Sequence, residues 1–167
     1  MRKLTSNFTP DFTPHEMLKL GVFEGKYLNS TMDEYPKRWA VGAKLSTVPN
    51  PSINLLGVKS RQPMSVWNNN GWIHPQDPWG WFQWYCRYYN GRRTDDDVRQ
   101  IKRHRAFVRH RAQVVKCGDL SKRRVQRQAL LQWSWDPFPD FRCRRGETLM
   151  EKVVRLGKKS LPVSVSG

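Results

Sequence analysis

The stretch DPWGWFQWYCRYYNGRRTDDD, residues 77–97, decides how this chain folds, because seven aromatic rings fall within the eleven residues from Trp79 to Tyr89 and charge follows abruptly. Asp77 suits a helix N-cap, Pro78 the first turn and Asn90-Gly91 a stop, so the spacing predicts a helix of about twelve residues between them. Along it Trp81, Trp84, Tyr85 and Tyr88 repeat at i, i+3, i+4 and i+7, while Phe82 and Tyr89 lie on another face. A helix that is apolar on more than one face is enclosed by its neighbours, which makes this segment the expected hub of the fold. Exposed rings can stack nucleobases, yet rings on two faces cannot all be exposed without leaving an aggregation-prone patch, so the pattern favours core.

C-terminal to the hub, Thr94 suits a cap and Asp95, Asp96 and Asp97 suit a first helical turn, where carboxylates meet orphan N–H groups and the positive end of the helix dipole. Val98, Ile101, Val108, Ala112 and Val115 keep a stripe spaced by threes and fours, which predicts one long helix over roughly 95–116. CGDLS breaks it, with Gly118 as the C-terminal cap. Ser121 then opens a third helix running to about Trp135, where Asp136-Pro137 ends it. A last helix covers ETLMEKVVRLG, residues 147–157, ahead of a tail, 158–167, with the small and polar residues of a loose terminus.

N-terminal to the hub, Thr13, Pro14, Glu16 and Gly21 form the capping signals of a short helix over 14–20. Residues 29–76 are rich in Asn, Pro and Gly. Such a segment needs anchors inside a compact domain, and Tyr35, Trp39, Leu45, Leu55, Trp67 and Trp72 are the expected ones. Gly80 stands where another backbone can approach the hub closely. The fold class is therefore mainly α: a single domain over 1–157 of about four to five helices, loop-rich and aromatic-anchored over 1–76, helical and basic over 77–135.

At 167 residues the chain is of single-domain size, and only 38% of it is hydrophobic, but eight Trp, seven Phe and five Tyr supply large burial per residue. The formal charge is +16, distributed unevenly: residues 1–78 carry 9 basic and 6 acidic side chains, residues 79–167 carry 21 and 8. The second half is where a polyanion would bind. Three cysteines, Cys86, Cys117 and Cys143, are odd in number and widely spaced, which supports neither a disulfide framework nor a zinc module. No apolar run follows the basic start and none is long enough to span a bilayer, so the expectation is a soluble protein of a reducing compartment, without membrane contact.

Arginine dominates the basic segment. Arg99, Lys102, Arg103, Arg109 and Arg111 lie on the predicted second helix, and Lys122, Arg123, Arg124 and Arg127 follow across a short break. Between residues 98 and 135 only Asp119 is acidic, so pairing within these helices cannot account for the run, and phosphate contact is the functional reading. Arg92 and Arg93 stand at its edge. The bland alternative is a solvated face of long side chains lying over apolar neighbours.

Enzymatic signals are weaker. Consecutive carboxylates on a helix diverge by about 100°, so Asp95, Asp96 and Asp97 read as capping rather than as a magnesium site. His104 and His110, six residues apart, sit about 120° apart on a helical wheel and do not share a metal. No cofactor is expected, and no cysteine nucleophile has an evident base.

Several segments together, HEMLKLGVFEGKYL, EYPKRW, KSRQPMSVWNNNGWIHPQDPWGWFQWYCRYYNGRRTDDDVRQIKRH and QRQALLQWSWDP, resemble an uncharacterised family found in phages and large DNA viruses, with relatives in fungi and plants. The likeness spans most of residues 14–138. It is most specific at Gly71-Trp72-Ile73, Asp77-Pro78, Gly80-Trp81-Phe82, Trp84-Tyr85 and Gly91-Arg92-Arg93. The resemblance implies a viral or DNA-linked setting and assigns no activity. Lys102-Arg103-His104 stands where that family would carry a tryptophan, and Trp79 where it would carry a polar or basic residue.

The leading expectation is a non-enzymatic protein binding DNA or RNA through phosphates, within a virion or nucleoprotein particle. One rival is an assembly component whose arginines and rings meet acidic proteins. Another is a metal-dependent enzyme on nucleic acid using Asp95–Asp97, Asp77 or Glu24.

Overall fold

The rings of Trp81, Phe82, Trp84, Tyr85 and Tyr88 are all buried at the centre of the molecule, and only Tyr89 at the end of their helix reaches solvent. The chain is represented by a computed structural model that describes residues 8–162. Among these residues there are seven α-helices: α1 (Pro14–Leu20), α2 (Met64–Asn69), α3 (Trp81–Tyr89), α4 (Asp97–Ala106), α5 (Val108–Val115), α6 (Arg124–Gln132) and α7 (Leu149–Ser160). No β-strand is present among them. The fold is mainly helical and forms one compact unit, with more and shorter helices than the sequence pattern predicts.

In α1 the capping signals act as expected. The Thr13 hydroxyl accepts from the Glu16 N–H, and Gly21 takes φ 106° while its N–H returns to the Met17 carbonyl. A side chain at Gly21 would collide with the Ile53 carbonyl oxygen, 2.3 Å from an ideal Cβ, so the tight turn and the close approach both demand glycine. The loop-rich segment is built of four short 3₁₀ turns together with α2. Tyr35, Trp39 and Leu55 anchor it as expected, whereas Leu45 and Trp72 are exposed.

Helix α3 begins at Trp81, later than the sequence suggests, because Asp77 is not its cap. Wholly buried, the Asp77 carboxylate accepts from Arg87 Nη1 at 2.9 Å and Arg92 Nη2 at 2.6 Å. Arg87 also forks onto Glu34, with Nε 2.9 Å from Oε2 and Nη2 2.7 Å from Oε1, so one ionic cluster ties the 3₁₀ turn Asn29–Glu34 to the hub.

The predicted long helix is two helices, α4 and α5, separated at Phe107. Its apolar stripe is also corrected: Val98, Val108 and Val115 are exposed, and the buried side chains of α4 are Asp97, Gln100, Ile101 and His104. Hydrogen bonds explain why Asp97 and Gln100 go inward, Gln100 Nε2 donating to Asp96 Oδ2 at 3.0 Å. Trp84 Nε1 donates to Asp97 Oδ1 at 2.8 Å, and Trp81 Nε1 and Trp135 Nε1 donate to the carbonyls of Gln100 and His104. Buried indole N–H groups require acceptors, and α4 supplies them from its inner face.

Helix α6 is shorter than expected, since Arg123 (φ 59°) precedes it and Ser134 (φ 58°) turns the chain behind it in left-handed conformations. Gln128 on α6 clips three segments together, accepting from the Leu56 N–H at 3.0 Å and donating to the Gly21 carbonyl at 3.1 Å. Helix α7 opens with a capping box between Thr148 and Glu151 and runs to Ser160, so Lys158 and Lys159 are helical rather than part of a tail. Residues 163–167 of the expected tail lie outside the described residues. Cys86, Cys117 and Cys143 are free thiols.

Candidate functional site

A cleft of about 530 Å³ opens between the loop-rich half and the basic helices. The start of α3 contributes Gly80, Trp81 and Phe82 to it. On the loop side stand Phe23, Tyr27, Arg61, Trp67 and Trp72; on the helical side stand Arg103, Phe107, Arg109, His110 and Trp133. None of the lining residues is acidic. Three are arginines, and half of the others are Phe, Tyr or Trp.

Gly80 makes the cleft possible. Its φ of 91° is left-handed, and an ideal Cβ would sit 3.1 Å from the Tyr27 hydroxyl and 3.4 Å from Trp67 Cζ3. Its neighbours are thus the side chains of Tyr27, Trp67 and Ile73, in place of the second backbone expected at this position. Phe23 (φ 52°) and Glu24 (φ 60°) are consecutive non-glycine residues in the same strained region, at a cost of order 1–3 kcal/mol each. This geometry turns Phe23 toward the cleft and Glu24 inward, where buried Glu24 accepts from Arg61 Nε at 2.6 Å.

A column of rings connects core to cleft. His104 lies sandwiched between Trp135, 4.8 Å away and nearly parallel, and Trp81, 5.7 Å away. Trp81 in turn packs on Trp133 at 4.9 Å, and Trp133 on Phe107 at 5.3 Å. Both His104 ring nitrogens are buried without a hydrogen-bond partner among the described residues. Burial and the Arg105 charge hold the imidazole down to about 4, so the ring is a neutral stacking plate at neutral pH.

Arg103 is the polar centre of the helical wall. Its Nη1 donates to the Trp72 carbonyl at 3.1 Å and to Gln100 Oε1 at 3.0 Å, and its guanidinium lies over the Trp133 ring, 5.3 Å from the centroid. It forms no ion pair among the described residues. Burial, then repulsion from Arg99, lowers its pKa to about 10.

The predicted phosphate-binding residues divide into three groups. Arg127 is a correction: it is fully buried, its fork held by Asp140 at 2.7 and 2.8 Å and by the Pro137 carbonyl, so it cannot reach a polymer in solvent. Arg92 and Arg99 are pinned by Asp77 and Asp96, Arg124 donates to the Leu56 carbonyl, and Arg93 stacks on Tyr88 with its guanidinium 3.7 Å from the ring centroid. These four are structural contacts with partly accessible heads. Lys102, Arg109, Lys122 and Arg123 are exposed and make no ion pair among the described residues; Arg111 is half-buried near Asp11.

Asp95, Asp96 and Asp97 do not converge. Asp96 binds Arg99 and Gln100, Asp97 accepts from Trp84 and from the Thr94 N–H, and Asp95 is exposed. Thr94 is therefore capped by Asp97 instead of capping the helix itself. Among the described residues no three His, Cys, Asp or Glu side chains group as metal ligands, and no helix is long and apolar enough to cross a membrane.

The cleft escapes a reading of the sequence because its rings come from positions 23 to 133, in five separate segments. The one signal for it in the sequence is the surplus of tryptophan in an irregular segment, which taken alone points only to anchoring. No protein family, no curated protein and no solved structure matches the chain.

Proposed function

We propose that this protein binds nucleic acid through the phosphate backbone, without catalysing a reaction, in a viral or nucleoprotein setting consistent with the resemblance described above. The observation that carries this reading is the surplus of cationic side chains left after internal pairing. Acidic partners hold Arg61, Arg87, Arg92, Arg99, Arg127, Lys152 and Arg155. Lys102, Arg109, Lys122 and Arg123 on and beside α4, α5 and α6 have none among the described residues and face solvent. A polyanion supplies the missing counter-charge and releases its condensed counterions on contact.

The test is binding of labelled DNA and RNA oligonucleotides across a salt series. The expected outcome is affinity whose logarithm falls by roughly 0.7–0.9 per phosphate contacted for each decade of salt. Affinity that does not change with salt, or that survives reversal of Lys102, Arg109, Lys122 and Arg123 together, refutes the proposal.

A further inference from the structure

The cleft has a chemistry that backbone binding alone leaves unused. Partly exposed ring faces of Trp67, Trp72, Trp133 and Phe107 surround a space of about 530 Å³, within the range of small-molecule sites. Such faces stack planar heteroaromatic groups irrespective of sequence. The adjoining cations Arg103 and Arg109 favour an anion beside the stacked plane, whereas Arg61, the third arginine of the lining, is already paired with buried Glu24. Arg103 is set deep in this wall with two neutral acceptors and a ring face around it and no ion pair, so an entering anion would relieve its desolvated charge.

We infer that the cleft receives an unpaired nucleotide of a single strand, its base stacked among Trp67, Trp72 and Trp133 and its phosphate beside Arg103 and Arg109. This rests on the nucleic-acid reading above and specifies its substrate: a strand whose bases are free, because in a duplex the base planes are already stacked and turned inward. Exposed Lys102 next to Arg103 and exposed Lys116 beyond Arg109 provide positive charge on α4 and just past α5 for neighbouring phosphates of the same strand. The left-handed pair Phe23–Glu24 gives the opposite wall its form, holding Arg61 through Glu24 at the rim.

The experiment compares the intact protein with single-stranded DNA, single-stranded RNA, blunt duplex, a single strand with an abasic position, and free 5′-mononucleotides, at matched salt and phosphate number. One base of the single strands is 2-aminopurine. The expected result is quenching of 2-aminopurine on binding, tighter binding of single strand than of duplex, and loss of quenching for Trp72→Ala with a roughly 5- to 100-fold weaker single-strand affinity. Duplex affinity should be unaffected by that change. Trp72 is partly exposed, so its truncation should leave the fold intact; should it not, the unmutated protein's quenching and its preference over the abasic strand decide the matter alone. Equal, salt-sensitive affinity for single strand, abasic strand and duplex, with no quenching, overturns this inference and leaves the backbone reading standing. Mononucleotides bound as tightly as the strand overturn it in favour of a free-nucleotide site. Absence of any salt-sensitive binding overturns both readings. The DNA and RNA arms identify which strand the cleft prefers.

Discussion

Arg127 and Asp140 meet in a two-pronged contact, Nη1 to Oδ1 at 2.7 Å and Nη2 to Oδ2 at 2.8 Å, with the arginine entirely out of solvent. The fork also takes the carbonyls of Lys122, Pro137 and Asp119, so this one side chain fastens α6 to the turns before and after it. An arginine that looks like part of a basic surface in the sequence is a strut.

Removing one partner of such a pair leaves the other charged and dry. Arg127→Ala is expected to destabilise the protein by about 3–5 kcal/mol, measured by denaturant melting. Replacing Lys122 with Ala, five residues away and exposed, should leave the melt within about 0.5 kcal/mol of the parent. Equal effects of the two would refute the strut.

The contact of Trp84 with Asp97 makes a second prediction. Asp97→Ala strips an acceptor from a wholly buried indole and from the Thr94 N–H together, and should cost about 2–4 kcal/mol in thermal or chemical melts. Asp97→Asn keeps an acceptor for Trp84 but sets an amide donor against the Thr94 N–H, so it should cost less than Asp97→Ala and more than nothing. Asp95→Ala, at an exposed neighbour, serves as the comparison.

The pH dependence of stability should carry the signature of His104. Its folded pKa, about 4, lies below the unfolded value of 6.5, so between these limits the unfolded chain binds the extra proton. Stability contributed by the neutral ring is therefore complete above pH 6.5 and lost as pH falls toward 4, by about 3 kcal/mol in all. His104→Phe retains the plate between Trp81 and Trp135, has no orphan nitrogens, and should flatten that part of the profile. A profile unchanged by the substitution would remove His104 as its source.

Gly80→Ala combines strain at φ 91° with a Cβ 3.1 Å from the Tyr27 hydroxyl, and should destabilise the fold by more than about 1 kcal/mol. Because Tyr27 must yield to it and the new Cβ touches Trp67, intrinsic tryptophan fluorescence should shift as well. An unperturbed spectrum and melt would show that the cleft wall gives way freely.

How far the sequence can be read depends on the kind of interaction involved. Rings repeating at Trp81, Trp84, Tyr85 and Tyr88 place the core correctly because burial of large apolar surface follows local periodicity. The cap at Thr13 is equally local. The stripe along α4 misleads because the buried indole N–H of Trp84 takes a side-chain acceptor, which turns Asp97 inward, while the Gln100 side chain turns in to bond Asp96 and Val98 faces outward. Asp77, Arg92 and Arg127 are misread for a related reason: which charges pair is settled by segments distant in sequence. The cleft lies furthest from such reasoning, since no single segment contains it.

That dispersal has its own consequence. A wall that begins at Phe23 and ends at Trp133 comes into being only after a ribosome has delivered both, so no chain cut between them can hold the whole of it. Whatever occupies the space must raise the melting temperature of the whole molecule by an amount that grows with the logarithm of its concentration above Kd, and a thermal-shift screen would pick the occupant out of a panel of candidate ligands.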